Sequence, residues 1–252
     1  MKKVIYYIAC LMLLFTANAC VEIDNYDAPA ETIYGKVVDK NTGKPVYTEV
    51  GDGGIRLKLL ELSWSDNPTP YYTTVMQDGT YQNTKIFKGH YNIEALGAFV
   101  PMFQRDGNGN VTKDERKVLD IKGSVELNFE VEPFLTVEWV GEPVANADGT
   151  ISAQVKIVRG TTNAAYQQDM SDVWLFVNSS SPYVGENNKD DRYSAHLSGG
   201  DAKNAINQTI TLTTPKLPAN RTYYMRAGAR IDKEIDGRKR YNYNEPKTLK
   251  MN

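Results

Sequence analysis

The fold is decided by the stretch "TISAQVKIV", Thr150 to Val158, in which apolar and polar residues alternate. Its apolar positions are Ile151, Ala153, Val155 and Ile157. Successive side chains of a β-strand point to opposite faces, so a period of two predicts a strand with one buried face. No stretch of the chain keeps a helical period over a useful length. The sequence therefore predicts an all-β protein.

Strands of the same kind, separated by turn residues, recur along the chain. "SVELNFEV", Ser124 to Val131, alternates in the same way. "GIRLKLLELSW", Gly54 to Trp64, places Ile55, Leu57 and Leu59 on one side, and an apparent shift then brings in Leu60, Leu62 and Trp64. The pairs Asp78-Gly79 and Asp148-Gly149 supply turn residues that tolerate positive φ. Short strands between such turns predict β-sandwiches.

The chain is long enough for two sandwiches in succession. Pro133 interrupts two strand-like segments, and proline has no N–H to give to a central strand. We therefore expect a first domain at residues 33–132 and a second at 133–252, joined without a long linker.

The N-terminus has the features of an export signal. A cationic start, Met1 to Lys3, precedes an apolar run from Val4 to Ala17. The run is too short for a spanning helix, which needs roughly 20 residues, but it suits a secretory signal at residues 1–19. The small residues that end it are followed at once by Cys20, and this arrangement resembles a bacterial lipobox. The resemblance implies that Cys20 is lipidated and becomes the mature N-terminus.

The number of cysteines favours lipidation over the alternative, an ordinary signal followed by a free thiol. Cys10 would be removed with the signal, so Cys20 would have no partner in an oxidising compartment. Acyl chains on Cys20 would anchor the protein to a membrane. The polar segment at residues 20–32 is then expected to act as a tether that reaches roughly 40 Å when extended.

The net charge argues against nucleic acid as a partner. The full chain has a formal charge of −2, and loss of Lys2 and Lys3 with the signal makes the mature chain −4. Nucleic-acid binding needs a basic surface.

Three segments of the first domain resemble carboxypeptidase-regulatory-like domains, which are small transthyretin-like sandwiches. They are "GKVVDKNTGKPV" at Gly35 to Val46, "QDGTY" at Gln77 to Tyr81 and "KGHYNIEA" at Lys88 to Ala95. Despite its name, this family carries no peptidase chemistry, so the resemblance implies a non-catalytic β-sandwich.

The second domain contains "LPANRTYYMRAGAR", Leu217 to Arg230. This stretch resembles the corner between strands E and F of fibronectin type III and immunoglobulin-like domains. The resemblance makes Tyr223 a structural residue whose hydroxyl bonds nearby backbone. Strand alternation then predicts that Met225, Ala227 and Ala229 point inward.

With "DNYDAP" at Asp24 to Pro29 and "RYNYNEP" at Arg240 to Pro246, the whole mature chain resembles one family. It is the Bacteroidetes lipoproteins of domain of unknown function 3823. The resemblance implies an outer-membrane lipoprotein that faces the cell exterior. It also implies an accessory role beside a TonB-dependent importer and a glycan-capturing lipoprotein of a starch-utilisation-type system. The family supplies no established catalytic residues.

The residues themselves give little support to catalysis or to a cofactor. His90 and His196 are the two histidines, no mature cysteine pair is available for zinc, and no Gly-x-Ser-x-Gly motif is present. Acidic residues are abundant, but no pair stands out as a glycosidase pair. We expect no enzyme activity and no cofactor.

A calcium loop is the one metal site that the spacing suggests. In "DGNGNVTKDE", oxygen-bearing side chains occupy alternate positions, namely Asp106, Asn108, Asn110, Thr112 and Asp114. Val111 and Lys117 stand where an EF-hand requires glycine and glutamate. A polar hairpin is the favoured interpretation, and weak calcium binding is the alternative.

Aromatic residues are the stronger signal for ligand binding, since an aromatic face suits the apolar side of a sugar ring while amides and carboxylates bond its hydroxyls. Two polar loops combine these groups. "SWSDNPTPYY" offers Trp64, Tyr71 and Tyr72, and "NSSSPYVGENNKDDRY" offers Tyr183, Asn187 and Asp190. The alternatives are that Trp64 caps a core and that the second loop is merely solvated. Trp139 and Trp174 are interpreted as core residues within strands.

Two functions follow from these observations. In the first, the protein captures an oligosaccharide for an importer; in the second, it is a structural subunit of the importer complex without a ligand of its own. Exposed aromatic side chains next to polar groups would favour the first, and buried aromatic side chains the second. A third possibility, a fimbrial component, would need a donor strand or an unpaired sheet edge, and the sequence shows no clear sign of either.

Overall fold

The structure, a computed structural model, describes residues 27–252. Within these residues the regular secondary structure is almost entirely β-strand, and it confirms the expected all-β fold of two consecutive sandwiches. The predicted signal and Cys20 lie outside the described residues. Between residues 27 and 252 no helix has the length and apolar character needed to cross a membrane.

The first sandwich contains ten strands. They are β1 (Glu31–Asp39), β2 (Arg56–Glu61), β3 (Tyr71–Thr74), β4 (Thr80–Ile86), β5 (Gly89–Leu96), β6 (Phe103–Arg105), β7 (Val111–Asp114), β8 (Lys117–Ile121), β9 (Ser124–Glu126) and β10 (Phe129–Val131). In one sheet, β1 pairs antiparallel with β4 and parallel with β9 and β10. The other sheet has the antiparallel order β3-β2-β5-β8, and β6 and β7 form a separate hairpin.

Alternation along β2 buries the side chains that the sequence indicated. Ile55, Leu57 and Leu59 lie in the first core. The expected shift beyond them is wrong, because β2 ends at Glu61 and the chain leaves the sheet. Trp64 is consequently 71% exposed and caps no core.

The second sandwich contains nine strands. They are β11 (Leu135–Trp139), β12 (Val144–Ala145), β13 (Ile151–Arg159), β14 (Met170–Asn178), β15 (Ala195–Ser198), β16 (Thr209–Thr213), β17 (Arg221–Ile231), β18 (Asn242–Tyr243) and β19 (Lys247–Met251). One sheet joins β11, β12 and β16 to β13; the other runs β15-β14-β17 and continues to β18 and β19. A 3-10 turn (Ala164–Tyr166) and a short helix, α1 (Gly199–Asn204), connect strands.

The second core confirms the alternation of "TISAQVKIV". Ile151, Ala153, Val155 and Ile157 are all buried between the two sheets. The opposite positions of β13, such as Gln154 and Lys156, are exposed. One buried face per strand is the condition for two sheets to pack as a sandwich.

The corner before β17 is also confirmed. The Tyr223 hydroxyl donates to the Pro218 carbonyl oxygen over 2.9 Å, and the Tyr223 side chain is fully buried. Met225, Ala227 and Ala229 follow it into the second core. Tyr223 therefore fixes the turn into β17.

Replacing Tyr223 with phenylalanine keeps the ring and removes this one hydrogen bond. The Pro218 carbonyl oxygen loses its donor, and we expect a loss of about 0.5–1.5 kcal/mol in the free energy of unfolding. Urea unfolding of the variant and the wild type measures the difference. Tyr224→Phe, at the next and only partly buried position of β17, is the matched control, and equal stability of all three proteins would contradict the corner role.

The two sandwiches meet at a packed junction. Ala98 and Val100 follow β5 in the first sandwich, yet they are buried in the second core. The Phe134 N–H donates to the Ala98 carbonyl oxygen over 3.0 Å. Asn242 reinforces this contact, because its Nδ2 donates to Ala98 and its Oδ1 accepts from the Leu135 N–H. The junction is therefore held by core packing as well as by the chain.

Two oppositely charged side chains are buried near each other in the same junction. Glu49 of the first sandwich and Arg226 of β17 are 3% and 0% exposed. Arg226 Nη1 donates to the Thr48 carbonyl oxygen over 2.8 Å, and its guanidinium lies 3.8 Å from the centre of the Tyr243 ring. Glu49 Oε2 accepts from the Asn187 N–H over 3.1 Å. Each charge thus meets groups of the opposite domain.

The surroundings of the pair determine its pKa values and its packing. Burial lowers the pKa of Arg226 to about 10, although the nearby Tyr243 and Glu49 oppose the shift. Burial raises the pKa of Glu49, and the Asn187 N–H and Arg226 oppose that shift. Gly185 leaves room for the two charged side chains, because a Cβ at this position would lie 2.7 Å from Glu49 Oε2 and 3.0 Å from Arg226 Nη2.

Candidate functional site

The first loop that the sequence singled out, between β2 and β3, exposes two aromatic side chains. Trp64 is 71% exposed and Tyr71 is 49% exposed. Tyr71 pairs with Leu59 and Tyr72 pairs with Lys58, so the two tyrosines point to opposite faces of the sheet. Tyr72 is instead covered by the Arg56 guanidinium, 4.3 Å from its ring centre. The three aromatic residues therefore do not form one patch.

The second loop, between β14 and β15, is engaged mainly in structural contacts. Tyr183 is 50% exposed, as a ligand-binding residue would be. However, the Asn187 N–H bonds Glu49 across the junction. The Asp190 carboxylate is held by Arg192, whose hydrogen bonds lower the pKa of Asp190. Tyr183 and the side chain of Asn187 lie at the surface.

The loop considered for calcium is the β6–β7 hairpin. The Asp106 carboxylate accepts from the backbone N–H of Asn108 and from the backbone and side chain of Asn110. The Asp114 carboxylate bonds Arg116. Among residues 27–252 no group of three or more His, Cys, Asp or Glu side chains is placed to hold a metal ion. Weak calcium binding stays a prediction.

The remaining tryptophans differ from their interpretation as core residues. Trp139 packs against the second core but is only partly buried. Trp174 stacks on His196 with ring centres 4.0 Å apart on the outer face of its sheet. Both side chains therefore reach the surface.

A cleft of about 580 Å³ lies at the junction of the sandwiches, and Trp139 is one of the residues that line it. The first sandwich supplies one wall, made of Asp39, Thr42, Lys44, Pro45, Val46 and Tyr47. The second supplies the other, made of Pro133, Leu135, Thr136, Val137, Glu138, Trp139, Asn242, Tyr243, Asn244, Glu245 and Lys247. Its volume lies in the range of roughly 300–1,000 Å³ that is usual for ligand pockets.

The floor of the cleft is the free edge of β11. The Gly160 N–H donates to the Phe134 carbonyl oxygen, and the Val140 N–H donates to the Gln154 carbonyl oxygen. The backbone N–H and C=O groups of the even-numbered residues of β11 therefore point toward β13. The backbone groups of the odd-numbered residues point away from β13, as the hydrogen bond from the Leu135 N–H to Asn242 Oδ1 shows. The N–H and C=O of Val137 therefore point into the cleft, and no described residue pairs with them.

The segment at residues 242–245 closes both ends of this edge. At one end, Asn242 Oδ1 accepts a hydrogen bond from the Leu135 N–H. At the other end, the Trp139 Nε1 donates to the Glu245 carbonyl oxygen over 2.7 Å. The open edge between Leu135 and Trp139 is about 13 Å long at ~3.3 Å per residue. A short polar ligand fits this length better than an added β-strand.

Polar and aromatic groups line the space between these ends. Asn244 is 3% exposed; its Oδ1 accepts from the Ala227 N–H, while its Nδ2 has no partner among the described residues. Burial, with Glu245 and Asp78 nearby, raises the pKa of Tyr47, so its hydroxyl stays protonated. Glu138 and Lys44 face each other at 3.7 Å. The cleft therefore offers donors, acceptors and the rings of Tyr47 and Trp139.

Sequence reasoning missed the cleft because its walls are far apart in the chain. Tyr47 and Trp139 belong to different domains, and alternation alone does not show how the domains face each other. A signal was nevertheless present in "RYNYNEP", because Asn242 to Glu245 of this segment form one wall.

The fold and the cleft define a two-domain β-sandwich protein with a ligand-sized site between its domains. A sequence model of the N-terminal domain of DUF3823, a family of unknown function, matches residues 31–132. A DUF3823 family protein of known structure from Bacteroides uniformis ATCC 8492 is 35% identical, with a TM-score of 0.82 over 89% of this chain and 100% of that one. The chain belongs to the DUF3823 family. No curated protein matches its sequence.

Two more distant structures share the fold. A DUF3823 family protein from Parabacteroides merdae ATCC 43184 is 21% identical, with a TM-score of 0.64 over 89% of this chain and 100% of that one. A protein from Bacteroides uniformis ATCC 8492 described as "a putative carbohydrate binding protein" is 22% identical, with a TM-score of 0.66 over 88% and 100%.

Proposed function

We propose that this protein is a non-enzymatic, lipid-anchored protein of the outer cell surface that binds a short neutral oligosaccharide in the interdomain cleft. In this role it is an accessory to a TonB-dependent importer and a glycan-capturing lipoprotein, and Cys20 carries its lipid anchor. The observation that carries the proposal is the cleft of about 580 Å³ with aromatic rings and unpaired polar groups on its walls.

The chemistry of the cleft suits a sugar. A pyranose has a ring face of C–H groups and a rim of hydroxyls that both donate and accept hydrogen bonds. Tyr47 and Trp139 supply ring surface, and the backbone N–H and C=O of Val137 are hydrogen-bonding groups that no described residue uses. Buried polar groups without partners favour a ligand that pairs with them.

The charge of the cleft favours a neutral ligand. Its carboxylates are Asp39, Glu138 and Glu245, and its cations are Lys44 and Lys247. The Asp39 carboxylate is occupied by Asn41 and Thr42, while Lys44 faces Glu138. No strong excess of either charge remains to select an ionic ligand.

Within residues 27–252, the lining also offers no nucleophilic triad of the serine or cysteine type. It contains no His, Ser or Cys among the described residues. His90 and His196 lie on outer sheet faces, where they bond Asp120 and Asp172. The relative described as "a putative carbohydrate binding protein" agrees with the proposed class of ligand.

The test is a binding screen of the soluble chain, residues 21–252, against neutral di- to tetrasaccharides from plant, host and microbial glycans, with calorimetry on any hit. Replacing Tyr47 with alanine removes ring surface from the cleft, and we expect affinity to fall by about tenfold, or about 1.4 kcal/mol. Trp139→Phe keeps a smaller ring and loses the bond to Glu245, so a smaller decrease is expected.

Tyr34→Ala is the matched control, because Tyr34 is a partly exposed tyrosine of the first sandwich outside the cleft. Its affinity should equal that of the wild type. If affinity fell in Trp64→Ala or Tyr183→Ala and not in Tyr47→Ala, the loops would be the glycan site. If no glycan bound, the scaffold function would replace this proposal.

A further inference from the structure

The first sandwich has one end that points away from the second. β1 enters at Glu31, opposite Ile86, and its last residue, Asp39, pairs with Val131 next to the domain junction. The end that contains Glu31 is therefore remote from the second sandwich. We call it the proximal end, because the chain reaches the first sandwich there from its N-terminus.

Three connections meet at the proximal end. The turn between β8 and β9 is bonded to the start of β1, since the Thr32 N–H donates to the Gly123 carbonyl oxygen over 2.9 Å. The turn between β4 and β5 is fixed by the Tyr91 hydroxyl, which donates to the Phe87 carbonyl oxygen. The β2–β3 loop starts beside it, as the bond from the His90 N–H to Ser63 Oγ shows.

Two of these connections carry large aromatic side chains on their surface. Trp64 in the β2–β3 loop is 71% exposed, and Phe87 in the β4–β5 turn is 49% exposed. Neither belongs to a core cluster of the described residues. Exposed Trp and Phe side chains on adjacent loops have the composition that membrane–water interfaces favour.

The preceding segment places this end near a lipid surface. Only eleven residues, Cys20 to Ala30, separate the proposed anchor from β1. Even fully extended they reach no more than about 36 Å at ~3.3 Å per residue. The tethered sandwich therefore stays within reach of the membrane and presents its proximal end to it.

The charge of the proximal end does not attract it to anionic lipid headgroups. Exposed Lys85, Lys88 and Lys122 at this end are outnumbered by the acidic residues Glu31, Glu61, Asp66 and Asp120. An end without an excess of positive charge gains little from anionic headgroups, so insertion of the aromatic side chains is left as the main favourable term.

We infer that Trp64 and Phe87 form a membrane-docking surface that seats the first sandwich on the lipid headgroups and holds the interdomain cleft outward. This inference rests on the lipid anchor of the proposed function. Because the attraction is apolar, docking requires no anionic lipid and is insensitive to salt.

The test uses the full lipidated protein reconstituted into phosphatidylcholine vesicles that contain brominated acyl chains, which quench nearby tryptophan emission. The chain has three tryptophans, so insertion of Trp64 should remove up to about one third of the emission. Trp64→Phe should abolish the loss, because Trp139 and Trp174 belong to the second sandwich. The loss should be the same in low and high salt.

Two different failures are distinguishable. Protein that floats with the vesicles, yet shows no quenching or equal quenching in wild type and Trp64→Phe, would overturn the docking surface and leave the anchor intact. Protein that does not float with the vesicles would overturn the anchor and the docking surface together. Glycan binding in the cleft is measured separately and would survive either result.

Discussion

Replacing Arg226 with methionine is expected to lower the free energy of unfolding by about 1–3 kcal/mol, because the Thr48 carbonyl oxygen loses its charged donor and the buried Glu49 carboxylate loses a nearby positive charge. Arg226 is fully buried, and Glu49 opposite it is almost so. Without Arg226, the Glu49 carboxylate would keep the Asn187 N–H but lose the nearby positive charge. Thermal and urea unfolding measure the loss.

The double variant Arg226→Met with Glu49→Gln separates charge from packing. It removes the isolated carboxylate, so it should recover part of the stability lost in Arg226→Met. Arg221→Met, on an exposed position of the same strand, is the matched control and should unfold like the wild type. A double variant no more stable than the single variant would show that packing around Arg226, and not charge, sets the loss.

The pH dependence of the same variant provides a second test. Burial raises the pKa of Glu49 above its ordinary value of 4.5, and removal of Arg226 raises it further. A carboxyl whose pKa is raised in the folded state destabilises the fold above the unfolded-state pKa and less so as the pH falls through the folded-state pKa. The deficit of Arg226→Met relative to the wild type should therefore shrink as the pH falls toward 4.5. A deficit that grows in acid would contradict the assignment.

The fold was accessible from the sequence because it depends on local patterns. Alternation in "TISAQVKIV" predicts the buried face of β13, and the resemblance of Leu217 to Arg230 to the corner of fibronectin type III domains implies the turn into β17. Where alternation failed, at Trp64, the cause was the end of a strand. Apolar spacing by itself does not mark that position.

The contacts of the domain junction could not be predicted from the sequence, because they depend on how segments far apart in the chain meet. Arg226 alternates with the inward residues Met225 and Ala227, so the pattern predicts that it faces outward from its sandwich. It does face outward, but Thr48 and Glu49 of the other domain cover it. The cleft has the same origin, since Tyr47 and Trp139 form opposite walls only after the domains pack. The domain limits drawn at Pro133 and the lipidation of Cys20 stay predictions.

Replacing Cys20 with serine is expected to release the protein from the membrane fraction completely. The physical reason is that stable anchoring takes more than one acyl chain, and all of them would be attached through this residue. The aromatic docking surface does not replace the anchor, since two side chains bury far less apolar area than lipid chains do. Fractionation of cells expressing each variant measures the effect. Cys10→Ser is the matched control: it alters the cysteine within the predicted signal, so the mature protein should still be found in the membrane. Retention of Cys20→Ser in the membrane fraction would contradict the anchor.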